Sequence, residues 1–193
     1  MTSKLRTQKR VCYFSELNEE EKRRCNKVCN LGFGGELYFY ENSIEKGAEN
    51  QIISLLYVDD LIIGICFAKI KRKKVMKPLS QLFLFVHTVS IDPDFRGKGL
   101  CYHLVRNLIN AKINIEGKIY HLGRSLNMYL QVKTNETDPN ISAIKCYQKN
   151  GFELMDMMYE TRNDGQLLTT MIRKKGSTKT KSKTKKAKKT KRK

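Results

Sequence analysis

An almost wholly apolar segment, residues 82–91, runs through a short turn containing two glycines and straight into an amphipathic helix. Apolar residues recur at every fourth position from Leu100 to about Ile113, which predicts that helix. A strand with apolar residues on both faces is typical of the centre of a sheet. The segment therefore predicts a central strand with a helix packed on its sheet. It also places the turn, residues 96–99, at the carboxyl end of that strand.

The turn has the features of an anion site. Glycines at positions 97 and 99 let the backbone approach a ligand without a clash at Cβ. Unpaired N–H groups and the positive end of the helix dipole then face the same point, which favours a ligand such as pyrophosphate. The spacing matches neither a P-loop nor G-x-G-x-x-G. From these residues alone, a plain surface turn is an equally good interpretation.

The whole pattern predicts an α/β domain built around a mixed sheet. Residues 69–77 are predicted to form a basic turn before Pro78. The predicted elements, in order, are a helix from Ser15 to Asn30, a hairpin of strands 52–58 and 61–70, the strand 82–91, the helix 100–113, a strand at 127–134, a helix at 141–149 and a hairpin of strands 152–161 and 167–173.

Positive charge is concentrated at the C-terminal end. The 193 residues include 38 Lys and Arg against 19 Asp and Glu, and residues 173–193 hold 13 of those basic residues and no acid. Such a segment cannot build a core, which predicts a disordered tail after a domain at residues 11–172 and a basic arm at residues 1–10. The tail is expected to bind nucleic acid or chromatin without sequence preference. The alternative is that it only solubilises or targets the chain.

The cysteines predict an intracellular protein, in the nucleus or cytoplasm, with buried and reduced thiols. No C-x-x-C pair occurs, and the histidines at 87, 103 and 121 lack the spacing of metal ligands, so no metal is expected. No segment approaches the roughly 20 apolar residues of a membrane-spanning helix, so no membrane partner is expected. The cysteines are Cys12, Cys25, Cys29, Cys66, Cys101 and Cys146.

Two segments resemble the GNAT superfamily of N-acetyltransferases. Residues 96–101, Arg-Gly-Lys-Gly-Leu-Cys, resemble the family signature R/Q-x-x-G-x-G/A, and residues 140–153 resemble its N-x-x-A-x-x-x-Y-x-x-x-G-F-E segment. The resemblance covers roughly residues 52–172. It implies a GNAT-like, centrally splayed sheet flanked by helices. Cys101 departs from the Gly or Ala of the signature and leaves less room beside the phosphates.

The resemblance also implies which residues bind acetyl-CoA, in a cleft between the strands at 82–91 and 128–134. The backbone of the first strand pairs with the pantetheine arm, and the turn holds the pyrophosphate. The Asn140 side chain binds the pantetheine arm, serves as a helix N-cap, or does both. The implied binding residues are Val89, Ile91, Arg96, Gly97, Lys98, Gly99, Leu100, Cys101, Tyr102 and Asn140.

Catalytic roles follow from the same resemblance. Tyr147 matches the family tyrosine that faces the CoA sulfur and can protonate the departing thiolate, although it also suits a core position. The Val89 N–H is the implied oxyanion donor. Phe85 stands where many members carry a base, so His87, two residues on, is a candidate base or else a buried structural histidine. A relay of water to solvent is an equally open route for the proton, and Glu36, Tyr38 and Tyr40 are candidates to line the acceptor side.

The implied function is acetyl-CoA-dependent N-acetyl transfer to a primary amine, by direct attack in a ternary complex. The expected acceptor is a protein, through its N-terminus or a lysine. Two other hypotheses stay open at this point. One is a catalytically weak adaptor that binds nucleic acid through its basic tail. The other is an acetyltransferase of small-molecule amines. The sequence indicates neither the exact acceptor nor the oligomeric state.

Overall fold

The computed structural model describes residues 7–32, 50–74, 80–134, 140–161 and 167–176, which form a seven-stranded sheet with helices on both faces. The strand order is β1-β2-β3-β4-β7-β9-β8, and β5 and β6 form a separate hairpin. The elements are β1 (Thr7–Tyr13), α1 (Glu19–Gly32), β2 (Gln51–Val58), β3 (Leu61–Lys74), β4 (Ser80–Ile91), α2 (Leu100–Asn110), β5 (Lys112–Ile115), β6 (Lys118–His121), α3 (Leu122–Ser125), β7 (Asn127–Lys133), α4 (Ile141–Lys149), β8 (Glu153–Thr161) and β9 (Leu167–Arg173).

The predicted mixed α/β architecture is confirmed. Strand β4 lies fourth of the seven and pairs parallel with β7, whereas the other strand pairs of this sheet are antiparallel. From Leu82 to Ile91 its residues are buried or half-buried on both faces, which accounts for the run of apolar residues.

Each face of the sheet has its own core. On one face, Cys25 and Val28 of α1 pack with Ile65 and Phe67 of β3. On the other face, α2 and α4 pack over Leu56, Val86 and Met128, and the buried α2 residues Leu104 and Leu108 fill the centre. The two clusters place α1 on one side of β4 and α2 with α4 on the other.

Three predicted boundaries were wrong. Residues 69–74 are not a turn, because β3 continues to Lys74 and pairs there with Ser80; residues 75–77 lie outside the described residues. Helix α1 begins at Glu19 rather than Ser15, since Asn18 caps it by accepting from the Glu21 N–H at 2.8 Å. Helix α2 ends at Asn110, before β5.

Two strand segments gave no clear signal in the sequence. Residues 7–10, assigned above to a loose arm, belong to β1, whose polar edge pairs with β2 from Thr7↔Val58 onward. The hairpin β5–β6 follows α2. Arg173, assigned above to the tail, ends β9 and is buried, where its guanidinium donates to the Gly123 carbonyl at 2.6 Å. Contacts with residues distant in sequence decide β1 and the position of Arg173, whereas β5 and β6 are short strands that, among the described residues, pair only with each other.

Within the described residues, none of the helices has the length and apolar character needed to cross a membrane.

Candidate functional site

Strands β4 and β7 are hydrogen-bonded over only part of their length. Residues 83–86 pair with residues 127–130, and the described register ends there. Because β4 continues to Ile91 and β7 to Lys133, the two strands diverge beyond Val86 and Leu130. The predicted central splay is therefore confirmed. An extended ligand with amide groups suits such an open strand edge, because it can complete the backbone hydrogen bonding.

The glycine turn sits above this cleft at the end of β4. Gly97 and Gly99 have φ values of +76° and +72°, a region that side chains with a Cβ rarely adopt. A Cβ built at either glycine meets nothing within 4 Å, so space is open above both. Gly99 is the N-cap of α2 and makes no side-chain cap, which leaves the first N–H groups of the helix available. The positive φ values, the available N–H groups at the start of α2 and the open space above the glycines together suit a bound pyrophosphate.

The basic side chains of the turn have different surroundings. Arg96 donates from Nε to the Ile91 carbonyl at 3.0 Å and from Nη2 to the Gly32 carbonyl at 3.3 Å. It therefore ties the turn to the end of α1 as well as carrying charge. The Lys98 ammonium lies 5.1 Å from the ring centroid of Phe95 and is exposed, so it can reach an anion above the turn.

An ion pair that the sequence analysis missed holds the start of the turn. Arg24 Nη2 lies 2.7 Å from Asp92 Oδ2, and the two side chains are only 16% and 8% exposed. Arg24 Nε also donates to the Ile62 carbonyl at 2.7 Å. The Asp92 N–H donates to the Ile63 carbonyl at 2.8 Å. The pair therefore links α1, β3 and the turn, and no local spacing could indicate it across 68 positions.

The expectation of six reduced thiols is wrong for two of them. Cys101, in the first turn of α2, and Cys146, in α4, form a disulfide with Cα atoms 6.3 Å apart. The other four cysteines are free and buried, as predicted. Burial raises the pKa of the Cys25 thiol to about 12 and that of Cys12 to about 11, which keeps them unreactive. The two bonded residues are 45 positions apart, so only the fold brings them together.

Alkylation of the denatured, unreduced protein should therefore modify four cysteines, and prior reduction should raise the number to six. The disulfide bonds Cys101 to Cys146, and the four remaining thiols become accessible on unfolding. Mass spectrometry of the alkylated peptides gives the count and the positions. Six modified cysteines without reduction would contradict the bond.

Tyr147 lies on the α2 and α4 side of the sheet. It is 8% exposed, and its ring packs edge-to-face on Phe152 with centroids 6.1 Å apart. Burial, and secondarily the Cys66 thiol, raise the pKa of its phenol well above the usual value. Tyr147 therefore stays protonated at neutral pH, as an acid must before it donates.

His87 lies on the α1 side of the sheet. Its ring stacks between Phe67 and Phe85, with centroid separations of 6.0 and 6.4 Å. Burial, and after it the positive charges of Lys69 and Lys71, lower the pKa of His87 to about 4. The imidazole is therefore neutral at pH 7 and holds a proton weakly.

The stability of the protein should fall as pH decreases from 7 to 5, and His87→Gln should reduce that loss. His87 has a pKa of about 4 in the folded protein, whereas an unfolded histidine titrates near 6.5. The unfolded chain therefore binds the proton first, so this contribution is intact above about pH 6.5 and is lost towards pH 4. Urea midpoints of both proteins at pH 7 and pH 5 measure the difference. Equal losses would mean that His87 is not the group responsible.

The remaining predicted residues lie around the same cleft. Val89 and Ile91 are half-buried and pack against the core on the α2 side. The Asn140 side chain accepts from the Ala143 N–H at 3.0 Å, which makes it the N-cap of α4. Leu100 is buried, and Tyr102 is half-buried. The remaining candidates, Glu36, Tyr38 and Tyr40, lie outside the described residues.

Within the described parts of the chain, no three His, Cys, Asp or Glu side chains are grouped so that they could hold a metal ion.

The model of the acetyltransferase (GNAT) domain matches residues 49–154. No curated protein sequence matches the chain. Among solved structures, Escherichia coli ElaA is 14% identical over 88% of this chain and all of its own, with a TM-score of 0.60. The Escherichia coli ribosomal-protein-S18-alanine N-acetyltransferase is 15% identical over 86% of this chain and 92% of its own, with a TM-score of 0.55. Arabidopsis thaliana Naa50, in complex with the bisubstrate analogue CoA-Ac-MVNAL, is 16% identical over 84% of this chain and 97% of its own, with a TM-score of 0.53.

These solved structures are at most 16% identical to the chain, so they support only its fold. The domain model covers more than half of the chain, so it shows the family. The matched residues include the diverging part of β4 and β7 and the glycine turn. The chain therefore belongs to the GNAT family of acetyltransferases, and it is an N-acetyltransferase by enzyme class.

Proposed function

We propose that the protein transfers acetyl from acetyl-CoA to a primary amine of another protein, an N-terminus or a lysine, by direct attack in a ternary complex. The observation that carries the proposal is the open edge of β4 beneath the glycine turn. Acetyl-CoA supplies the activated thioester. The residues predicted above to bind it surround one cleft: the edge at Val89 and Ile91, the N–H groups of the turn, and Asn140 at the start of α4.

A protein acceptor is supported by the solved relatives. One is named for acetylating an alanine of a ribosomal protein, and another holds an analogue that joins CoA to a short peptide. These acceptors belong to those proteins, and their identity to this chain is low. They make peptides the first acceptors to test on this chain.

We assign the acid role to Tyr147, whose hydroxyl carries its proton at neutral pH and which matches the family tyrosine that faces the CoA sulfur. Its raised pKa makes the phenol a weak acid, so the proton moves only as negative charge builds up on the departing sulfur. Because the His87 pKa is about 4, its imidazole is a hydrogen-bond acceptor for the amine rather than a store for its proton. The proton then passes to water. On this assignment, His87→Gln leaves an acidic limb near pH 6–7 in the rate profile unchanged.

The test is a turnover assay with the full chain, acetyl-CoA and two panels, one of peptides and one of small amines. Thiol release gives the rate, and mass spectrometry of the products locates the acetyl group. Gly99→Val is the matched control, because a β-branched residue cannot hold the φ of +72° that this turn requires. Faster reaction with peptides supports the proposal, and a preference for small amines overturns the acceptor class.

An adaptor without activity is the competing function, because Phe85 replaces the base that many members carry. In that case CoA should still raise the melting temperature, while no amine releases thiol. Binding to DNA or RNA should then depend on residues 174–193, which follow β9 and hold 12 basic residues, and should weaken steeply between 50 and 200 mM salt. Thiol release with any peptide acceptor excludes this alternative.

A further inference from the structure

A row of directly paired residues crosses the sheet next to the apex of the splay, the point after Val86 and Leu130 where β4 and β7 separate. Lys69 pairs with Phe85, Phe85 with Tyr129, Tyr129 with Ile172, and Ile172 with Glu153. Paired residues in neighbouring strands point to the same face of a sheet. Since the alternate residues Leu84 and Val86 belong to the core on the α2 side, this row faces the α1 side.

A second row lies one step further from the turn. Lys71 pairs with Phe83, and Phe83 pairs with Asn127. The Lys71 ammonium lies 4.5 Å from the centroid of the Phe85 ring, and the rings of Phe83 and Tyr129 meet edge-to-face at 5.3 Å. We call the side chains of Lys69, Lys71, Phe83, Phe85 and Tyr129 the acceptor-side patch.

The patch combines an aromatic floor with positive charge at its rim. Phe83, Phe85 and Tyr129 are half-buried, so part of each ring is accessible, whereas Lys71 is exposed. The single carboxylate of the first row, Glu153, lies three strands from Phe85. The lysine charges are therefore not neutralised within these two rows. The neighbouring His87 shows their influence, because both lysines lower its pKa.

The position of the patch ties it to the acceptor. Phe85 and Tyr129 are in the last paired stretch of β4 and β7, directly before the strands diverge. On the proposed function, the acetyl group reaches this apex from the α2 side of the cleft, so the amine comes from the face that the patch occupies. Residues that flank the amine then lie within reach of Lys69 and Lys71.

We propose that the patch selects acceptor segments that carry carboxylates within a few residues of the acetylated amine. Lys69 and Lys71 stand two residues apart on one strand face, which separates them by about 7 Å. An extended acceptor with acidic residues at alternate positions has the same spacing, so it can pair with both lysines. Basic acceptors are repelled by the same charges, and aromatic or apolar residues in the acceptor can pack on the rings.

This inference rests on the proposed function, and its test uses the full chain with acetyl-CoA. Peptides of equal length and identical first residue carry Glu, Gln or Lys at two alternate positions near the amine. The kcat/KM should be about tenfold higher for the Glu peptide than for the Gln peptide at low salt, lowest for the Lys peptide, and less dependent on the peptide at high salt. The effect should lie mainly in KM.

Charge reversal at the patch identifies its source. Lys69→Glu/Lys71→Glu should invert the order of the peptides, and Lys69→Arg/Lys71→Arg should keep it. Lys112→Glu/Lys118→Glu makes the same change of charge on the separate β5–β6 hairpin and serves as the matched control, with the basic tail unchanged throughout. Inversion by the control variant as well, or equal rates for all peptides, overturns the proposal.

Binding of the same peptides in the presence of CoA separates this inference from the proposed function. If the peptides bind in the order of their charge but are not acetylated, the proposed patch is supported and the proposed reaction is overturned. If the peptides are acetylated at rates that do not depend on their charge, the proposed reaction is supported and the proposed patch is overturned. Where peptides neither bind nor react, both are overturned.

Discussion

Replacing Tyr147 by phenylalanine is expected to lower kcat by about 100-fold and to leave the affinity for CoA nearly unchanged. The change removes the hydroxyl and keeps the ring that packs on Phe152. General acid catalysis contributes about 10²–10⁴-fold, and its loss lies in kcat when the group acts only in the transition state. Steady-state kinetics with saturating peptide, together with calorimetric titration of CoA, measure the two effects.

Tyr120→Phe is the control for this result. Tyr120 lies on β6, outside the seven-stranded sheet, and its half-buried ring is 5.5 Å from the Lys118 ammonium. Its substitution should leave kcat unchanged. If Tyr147→Phe keeps kcat within about threefold of the original, Tyr147 is a core residue only. The thiolate then leaves without a proton from this side chain.

Local sequence was sufficient to predict the centre of the fold. The apolar run before the turn indicated the central strand. The glycines at 97 and 99 indicated a turn, and the backbone of that turn has positive φ values at both positions. The strand and the turn are each encoded within a few consecutive residues, so each leaves a pattern in the sequence. The splay between β4 and β7 involves strands about 40 residues apart, and only the resemblance to the GNAT family implied it.

Contacts between distant residues were not predictable in this way. The Cys101–Cys146 bond spans 45 positions, and the pair of Arg24 with Asp92 spans 68. The position of His87 between Phe67 and Phe85 depends on the pairing of β3 with β4. A histidine of ordinary pKa suited the role of base, whereas burial beside two lysines lowers the pKa to about 4. The chemistry of the residue follows from surroundings that the local sequence does not contain.

Replacing Arg24 by leucine is expected to lower the free energy of unfolding by about 3 kcal/mol, because it leaves the Asp92 carboxylate without its partner in a nearly buried position. For a chain of this size, such a loss lowers Tm by roughly 6–12 °C. The affinity for CoA should fall as well, because the pair links α1 to the start of the glycine turn. Thermal unfolding with and without CoA measures both effects.

Two further variants separate the ion pair from the helix that carries it. Lys22→Leu removes the exposed pair of Lys22 with Glu19, which lies on the same helix at the same 2.7 Å distance, and should change stability little. In Arg24→Leu/Asp92→Asn the buried charge is gone, so part of the stability should return, since the amide oxygen can still accept from the Asp94 N–H. A loss no larger for Arg24→Leu than for Lys22→Leu would show that the ion pair does not hold the turn, and the affinity for CoA should then be the same in all three variants.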